Sequence, residues 1–226
     1  MHNLRRITFH PPCIGACLST QSVFERCYPG RRALLKREIL MASLEHCNSH
    51  GIESTTIEAI KAACSTSVGA IYHHFGNKDG LIAALFFCAQ DEQALLLQSY
   101  LSKALSPQEG VHAMVFSYVD WVAAEPDLAR FQFQARSFVA KGPHAPTLAE
   151  RNKTRNKTIM SWFTQPEHKA ALTKCPPELL PSLIVGQSES YCRAWLAGRV
   201  RTSPEKFRSA LAAAAWSSID AAADLY

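Results

Sequence analysis

From about Arg31 onward, apolar residues recur at helical spacing. Between Arg31 and His50, Leu35, Ile39, Ala42, Leu44 and Cys47 follow a helical stripe, and Gly51 supplies the stop that a helix C-terminus favours. A second, shorter helix opens at Ser54-Thr55-Thr56-Ile57-Glu58, where Thr55 and Glu58 have capping-box spacing and Ile57 and Ile60 face the core. After a turn at Cys64-Ser65-Thr66, the run Ser67 to Phe75 places Val68, Ile71 and Phe75 on one apolar face. A long helix then runs from Lys78 to about Ser106, ended by Pro107. Further helices are predicted over 107–124, 127–140, 146–165, 177–198 and 204–222, separated by Pro126, the Gly142–Pro146 segment, Pro166, Pro176-Pro177 and Pro204. Strand-like alternation of useful length is missing, so the pattern predicts an all-α chain. Residues 1–30 lack periodicity and hold Pro11, Pro12, Pro29 and Gly30. They read as a disordered N-terminal extension, with a misplaced translation start as the alternative.

The stretch from Ser67 to Phe75 organises the rest. Opposite its apolar face lie Ser67, Gly69, Ala70 and His73, small or polar, flanked by Tyr72 and His74. So short a helix does not stand alone in water and needs the two upstream helices as braces. A braced short helix that offers a small, polar face has the form of a recognition helix entering a major groove. Gly69 is costly inside a helix, which suggests close approach of a backbone there. Val68 or Ala70 would suit a thymine methyl. Phosphate contacts fall to Tyr72, His73, His74 and Lys78, to Thr56 at the start of the second helix, and to the basic cluster beginning at Arg31.

Charge sharpens this picture. The chain has 226 residues and a formal net charge of +5. Residues 1–78 hold nine Lys and Arg against five Asp and Glu, so most of the excess lies in the part of the chain that contains the proposed DNA-reading element. No uninterrupted apolar run of membrane-spanning length appears, and the first residues lack the apolar core of a signal peptide. The protein reads as cytoplasmic, without membrane association. The eight cysteines include no Cys-x-x-Cys pair and read as reduced, mostly buried thiols. His46 and His50 lie one helical turn apart, but no metal-binding motif surrounds them, and neither metal nor cofactor is expected. A Gly-rich phosphate loop and a nucleophile elbow are also missing, which argues against a helical enzyme.

Three segments in order carry a resemblance: Ile39-Leu40-Met41-Ala42 closed by Gly51-Ile52, then Thr55-Thr56-Ile57-Glu58-Ala59-Ile60, then Ser67-Val68-Gly69-Ala70-Ile71-Tyr72-His73-His74-Phe75 with Lys78. Together they resemble the DNA-binding domain of the TetR family of bacterial transcriptional regulators. Where the family usually has Ala-Gly-Val before the recognition helix, this chain has Cys64-Ser65-Thr66, so a side chain occupies the turn's usual positive-φ position. The resemblance implies a helix-turn-helix DNA-binding domain over 31–78 and a larger helical effector-binding and dimerisation domain over 79–226. Its DNA-contacting set would be Arg31, Thr55, Thr56, Ser67, Val68, Gly69, Ala70, Tyr72, His73, His74 and Lys78.

For the C-terminal part, the resemblance implies an effector pocket. The helices across 107–165 supply Phe116, Tyr118, Trp121, Phe131, Phe133, Phe138, Trp162 and Phe163, mixed with Gln132, Gln134 and Arg136. The pocket set drawn from them, and from the next helix, is Phe116, Trp121, Phe131, Gln134, Phe138, Trp162, Gln187 and Tyr191. The last two long helices resemble the family's dimerisation helices, with Leu183, Tyr191, Trp195, Leu211, Ala215 and Trp216 as the interface. The expected function is a homodimeric, ligand-responsive regulator, most simply a repressor released from a palindromic double-stranded operator by a small-molecule effector. The alternative is a redox-sensing regulator in which Cys64, beside the turn, is the trigger.

Overall fold

The computed structural model of the chain describes residues 20–166, 168 and 175–223, and among these every regular element is helical. The α-helices are α1 (Thr20–Cys27), α2 (Leu34–His50), α3 (Ile57–Ala63), α4 (Val68–Phe75), α5 (Lys78–Leu101), α6 (Pro107–Ala124), α7 (Pro126–Lys141), α8 (Ala145–Phe163), α9 (Leu180–Leu196) and α10 (Arg208–Ala223). Short 3-10 turns at Arg31–Ala33 and Pro204–Phe207 lead into α2 and α10.

Local chemistry sets these boundaries. Thr56, Ser67, Asn77 and Ser106 cap α3, α4, α5 and α6, each side-chain oxygen accepting the N–H three residues on. Pro107 and Pro126 sit in the first turns of α6 and α7, where a missing N–H costs nothing. The cap of α3 corrects the sequence reading. Thr56, not Thr55, caps the helix, while Thr55 is fully buried and donates to the Gly51 carbonyl at 2.8 Å. Ser65, where a glycine was absent, takes φ +45°, so the chain makes its left-handed turn with a side chain present.

Helices α2, α3 and α4 form a small head around Ile39, Leu40, Leu44, Ile57, Ile60 and Ile71. Helix α5 packs against this head and continues into the body, where α6 packs against α5, α9 and α10. By length and composition α5 is apolar enough to cross a bilayer, which the sequence reading did not register. Its apolar positions, among them Leu81, Ile82, Leu85 and Phe86, are instead buried against neighbouring helices. A buried polar junction ties α5, α6 and α10 together: Tyr100 donates to Asp120 at 2.6 Å, and Arg208 pairs with the same carboxylate while lying over the Phe116 ring.

The N-terminal segment is a second correction. Residues 1–19 of the expected extension lie outside the described residues, but residues 20–27 form a helix rather than a disordered tail. Val23 and Phe24 of α1 are buried against α2 and α5. Arg26 makes a two-bond pair with Glu92 of α5, at 2.8 and 2.6 Å. Arg37 donates to the carbonyls of Tyr28 and Gly30, and Lys36 lies over the Tyr28 ring, so half of the basic cluster at the start of α2 serves this docking.

Thr20 of α1 donates to Glu125 at 2.8 Å. Glu125 is buried, and burial pushes its carboxyl up to about 7; neighbouring Glu92 and Asp127 act in the same direction, and Arg26 opposes them. The folded protein therefore holds this proton more tightly than the unfolded chain, and stability falls as pH rises from about 4.5 to about 7. Glu125→Gln keeps an acceptor for Thr20 and removes the penalty. The variant is expected to be more stable than the parent at pH 8, by up to about 3 kcal/mol and with a higher melting temperature, and to match it near pH 4.5. Parallel melting curves at all pH values would show that Glu125 is not the titrating group.

Candidate nucleic-acid interface and interhelical cavity

The head presents α4 as the sequence pattern predicted. Ile71 is fully buried, and Val68 and Phe75 pack against the core. Gly69, Tyr72 and His73 are exposed, Tyr72 by 49%. A Cβ on Gly69 would meet nothing closer than the Ser67 hydroxyl at 3.9 Å, so nothing inside the chain demands a glycine there. The Ser67 side chain is taken by its capping bond from Ala70 N–H. His74 is half-buried, and burial, together with His73 and Lys36, lowers its pKa, which favours a neutral ring.

Other members of the predicted DNA-contacting set fall in different places. Arg31 and Thr56 are exposed on the head. Lys78 is engaged at the surface, its Nζ donating to the Glu53 carbonyl at 3.1 Å. Thr55 is withdrawn from any partner, since its hydroxyl is buried between Gly51, His46 and Cys47. One residue of this region escaped the sequence reading. Gly80, in the first turn of α5, sits so close to α4 that a Cβ there would lie 2.0 Å from the Phe75 carbonyl oxygen. That approach fixes the angle between α4 and α5, and only the folded packing of the two helices reveals it.

In the body, a cavity of about 450 Å³ lies among α5, α6, α7, α8 and α9. Helix α5 contributes Gln93, Ala94 and Leu97; α6 Met114, Ser117 and Tyr118; α7 Arg136; α8 Arg155, Ile159 and Met160; α9 Ile184 and Glu189. The eight residues singled out as an effector pocket do not line it. Trp121 and Phe131 are core, Phe116 is core beneath Arg208, and Trp162 faces an open groove of about 720 Å³ between α5 and α8. Gln134 and Phe138 line a separate cleft facing Ile52 and Asp79, while Gln187 bonds Ser218 and Tyr191 donates to the Thr202 carbonyl. The physical reason is volume: large aromatic side chains fill the core, and space remains where small or unbranched side chains such as Ala94, Ser117, Met114 and Met160 meet. From the wider set of candidates, Tyr118, Arg136 and Phe163 do line the cavity.

Two further features bear on chemistry. Among the described residues no group of three or more His, Cys, Asp or Glu could hold a metal ion; His46 and His50 are stacked, ring centroids 4.4 Å apart. The Cys64 thiol donates to the Ile60 carbonyl and is pushed up by burial, away from thiolate character. Cys27 of α1 and Cys88 of α5 instead line one cleft, together with Tyr28 and Arg151.

Comparison with known proteins agrees with this architecture. Residues 39–85 match the family described as bacterial regulatory proteins, tetR family. The HTH-type transcriptional regulator UidR of Escherichia coli (strain K12) is 30% identical over 135 residues, which cover 58% of this chain and 63% of UidR. The chain thus matches somewhat under two thirds of that relative's length. BetI of Burkholderia thailandensis is 22% identical over 183 residues, covering 80% of this chain and 90% of BetI. Among solved structures, a TetR family transcription regulator from Marinobacter aquaeolei VT8 superposes with a TM-score of 0.69 at 17% identity, over 81% of this chain and 94% of that one. The fatty acid degradation regulator FadR from Bacillus halodurans gives a TM-score of 0.66 at 17% identity, over 80% and 97%. Residues 39–85 thus form a helix-turn-helix head of the tetR type, and the all-helical chain shares the fold of solved TetR family regulators.

Proposed function

We propose that the protein is a cytoplasmic, homodimeric DNA-binding regulator, not an enzyme, whose affinity for a two-fold operator responds to a small molecule held in the body. The observation that carries this reading is α5. Its first turn abuts the Phe75 carbonyl of α4 through Gly80, and from Gln93, thirteen residues further on, it offers Gln93, Ala94 and Leu97 to the cavity. From Gly80 to Ala94 the helix spans about 20 Å. A ligand that moves α5 therefore moves the recognition helix, provided it binds the DNA-incompetent arrangement more tightly. Repression, with release by the ligand, is the simplest form.

The dimer reading draws on α9 and α10. Ile184, Ser188 and Cys192 of α9 and Ala212, Ala215 and Ile219 of α10 are buried within the protomer. Leu183, Trp195, Leu211 and Trp216 remain half-buried, a stripe that suits an isologous four-helix contact. Ala215 leaves the predicted interface because it is core, and Tyr191 is engaged with Thr202 and Phe207. Two α4 helices about 34–36 Å apart would read half-sites one DNA turn apart.

The test is selection of a site from a random-sequence DNA pool, followed by affinity measurement at several salt concentrations. A palindromic site, a steep salt slope and about tenfold weaker binding by Tyr72→Ala with an unchanged melting temperature are the expected results. Failure to select any sequence at low salt would overturn the reading. The shared cleft of Cys27 and Cys88 favours a second trigger: hydrogen peroxide would oxidise the two thiols to a disulfide between α1 and α5 and be reduced to two waters. Peroxide-induced release from the selected site that Cys27→Ser abolishes and Cys64→Ser does not would establish it. Release unaffected by Cys27→Ser would dismiss it.

A further inference from the structure

The charges inside the body cavity are unequal. Glu189 is the carboxylate in its wall, and it is already engaged: it accepts from Arg193 at 2.7 Å and stands 3.6 Å from Arg136. Arg193 is outside the cavity, stacked on Phe133. Arg155 enters the same space from α8, and among the described residues it has no carboxylate and no hydrogen-bond acceptor. Its nearest charged influence is Arg136, a like charge that adds to the cost of its burial. Tyr118 is buried in the α6 wall, and its hydroxyl also has no partner among the described residues.

A half-buried guanidinium beside another guanidinium, without an anion between them, is unfavourable in the empty protein. So is a buried phenol without a hydrogen-bond partner. Both costs vanish if an acid group enters, because a carboxylate accepts the paired N–H groups of arginine and the O–H of tyrosine at once. Arg136, Arg155 and Glu189 leave one positive charge in the wall, so a single negative charge balances it. The remaining wall, from Leu97, Met114, Ile159 and Ile184, is apolar, and the volume of about 450 Å³ lies in the range of small-ligand sites.

We infer that the cavity takes a largely apolar molecule with one anionic head, the head held by Arg155, Arg136 and Tyr118 and the body lying against the aliphatic wall. The inference rests on the regulator reading for its purpose, since the molecule would be the effector, but its binding is measurable without DNA. Arg155 also borders the open groove on the other face of α8, so this arginine marks the way in from that side.

The experiment is calorimetric titration of the full chain with octanoate, decanoate and 2-naphthoate, each beside the alcohol and the primary amine of the same carbon skeleton. The acids are expected to bind at least about tenfold more tightly than the alcohols, and the amines not at all. Arg155→Met should weaken acid binding about tenfold to a hundredfold and leave the alcohols unchanged. Tyr118→Phe should weaken acid binding several-fold without lowering the melting temperature of the empty protein, because it removes an unsatisfied hydroxyl; a purely structural tyrosine would show the reverse. Absence of acid binding at millimolar concentration, equal binding of acid and alcohol, or an acid preference that survives both substitutions would overturn the inference. Acid binding that leaves operator affinity untouched would support the ligand class and overturn the regulator reading.

Discussion

Gly80→Ala is expected to lower operator affinity about a hundredfold and the melting temperature by several degrees. The new Cβ would lie 2.0 Å from the Phe75 carbonyl oxygen and 3.2 Å from its carbon. Both are backbone atoms, so no side-chain rotation relieves the contact, and one helix must move by more than about 1 Å to restore ordinary separation. The first turn of α5 is held by its cap, Gly80 N–H donating to Asn77 at 2.8 Å. Helix α4 is the weaker party, with 8 residues and Ile71 as its fully buried anchor. Overpacking of this kind costs roughly 1–3 kcal/mol of stability. Tilting the reading helix costs binding separately, and a dimer takes the loss twice: about 1.4 kcal/mol per half-site multiplies to a hundredfold. Gly69→Ala is the matched control, because its Cβ meets open space and should hold or raise the melting temperature. Unchanged operator affinity and stability in Gly80→Ala would mean that the α4–α5 angle is not set by this contact.

The contrast between the two glycines shows what a sequence can and cannot convey. Gly69 is conspicuous because it interrupts a helical pattern, whereas Gly80 looks like an ordinary early-helix residue until Phe75 is placed beside it. Local signals were legible in the head, where Ile71 and Phe75 fall on the inner face at helical spacing. In the body Pro107 and Pro126 open α6 and α7, but α5 ends at Leu101 rather than near Ser106, and α9 and α10 begin at Leu180 and Arg208 rather than at 177 and 204. The two adjacent threonines were assigned the wrong way round, because Thr55 has capping-box spacing to Glu58 and Thr56 does not. Burial against His46 and Cys47 decides for Thr56. Helix α1 was hidden for a related reason. Eight residues with two buried apolar side chains make no pattern of their own, and the Arg26–Glu92 pair that fixes them joins positions 66 apart. The cavity was least legible of all. Aromatic residues attract notice in a sequence, but they fill space, and a cavity is defined by the small and flexible residues that five helices fail to bring together.

Arg208→Met is expected to cost about 3–5 kcal/mol, the largest loss of stability for a substitution in the body. Asp120 is 7% exposed and sits at the junction of α6 with α5 and α10. Tyr100 stays a donor to it, because burial and the carboxylate itself both raise the phenol's pKa. Tyr100 alone cannot balance a buried negative charge, so removing Arg208 leaves an ion in a low-dielectric site with one hydrogen bond. For a chain of this size the melting temperature should fall by roughly 10 °C. The pair is nevertheless not worth that much as a net contribution, since both charges were desolvated to make it. Arg208→Met combined with Asp120→Leu should therefore recover most of the loss. What the ion pair contributes is position: it anchors the start of α10, and α10 carries Leu211 and Trp216 of the proposed dimer stripe. Arg208→Met should weaken dimerisation in sedimentation equilibrium even at temperatures where the protomer stays folded, and the double variant should not restore it fully. A single variant that melts within about 1 kcal/mol of the parent would instead place Asp120 in contact with water and remove the junction from the account of α10.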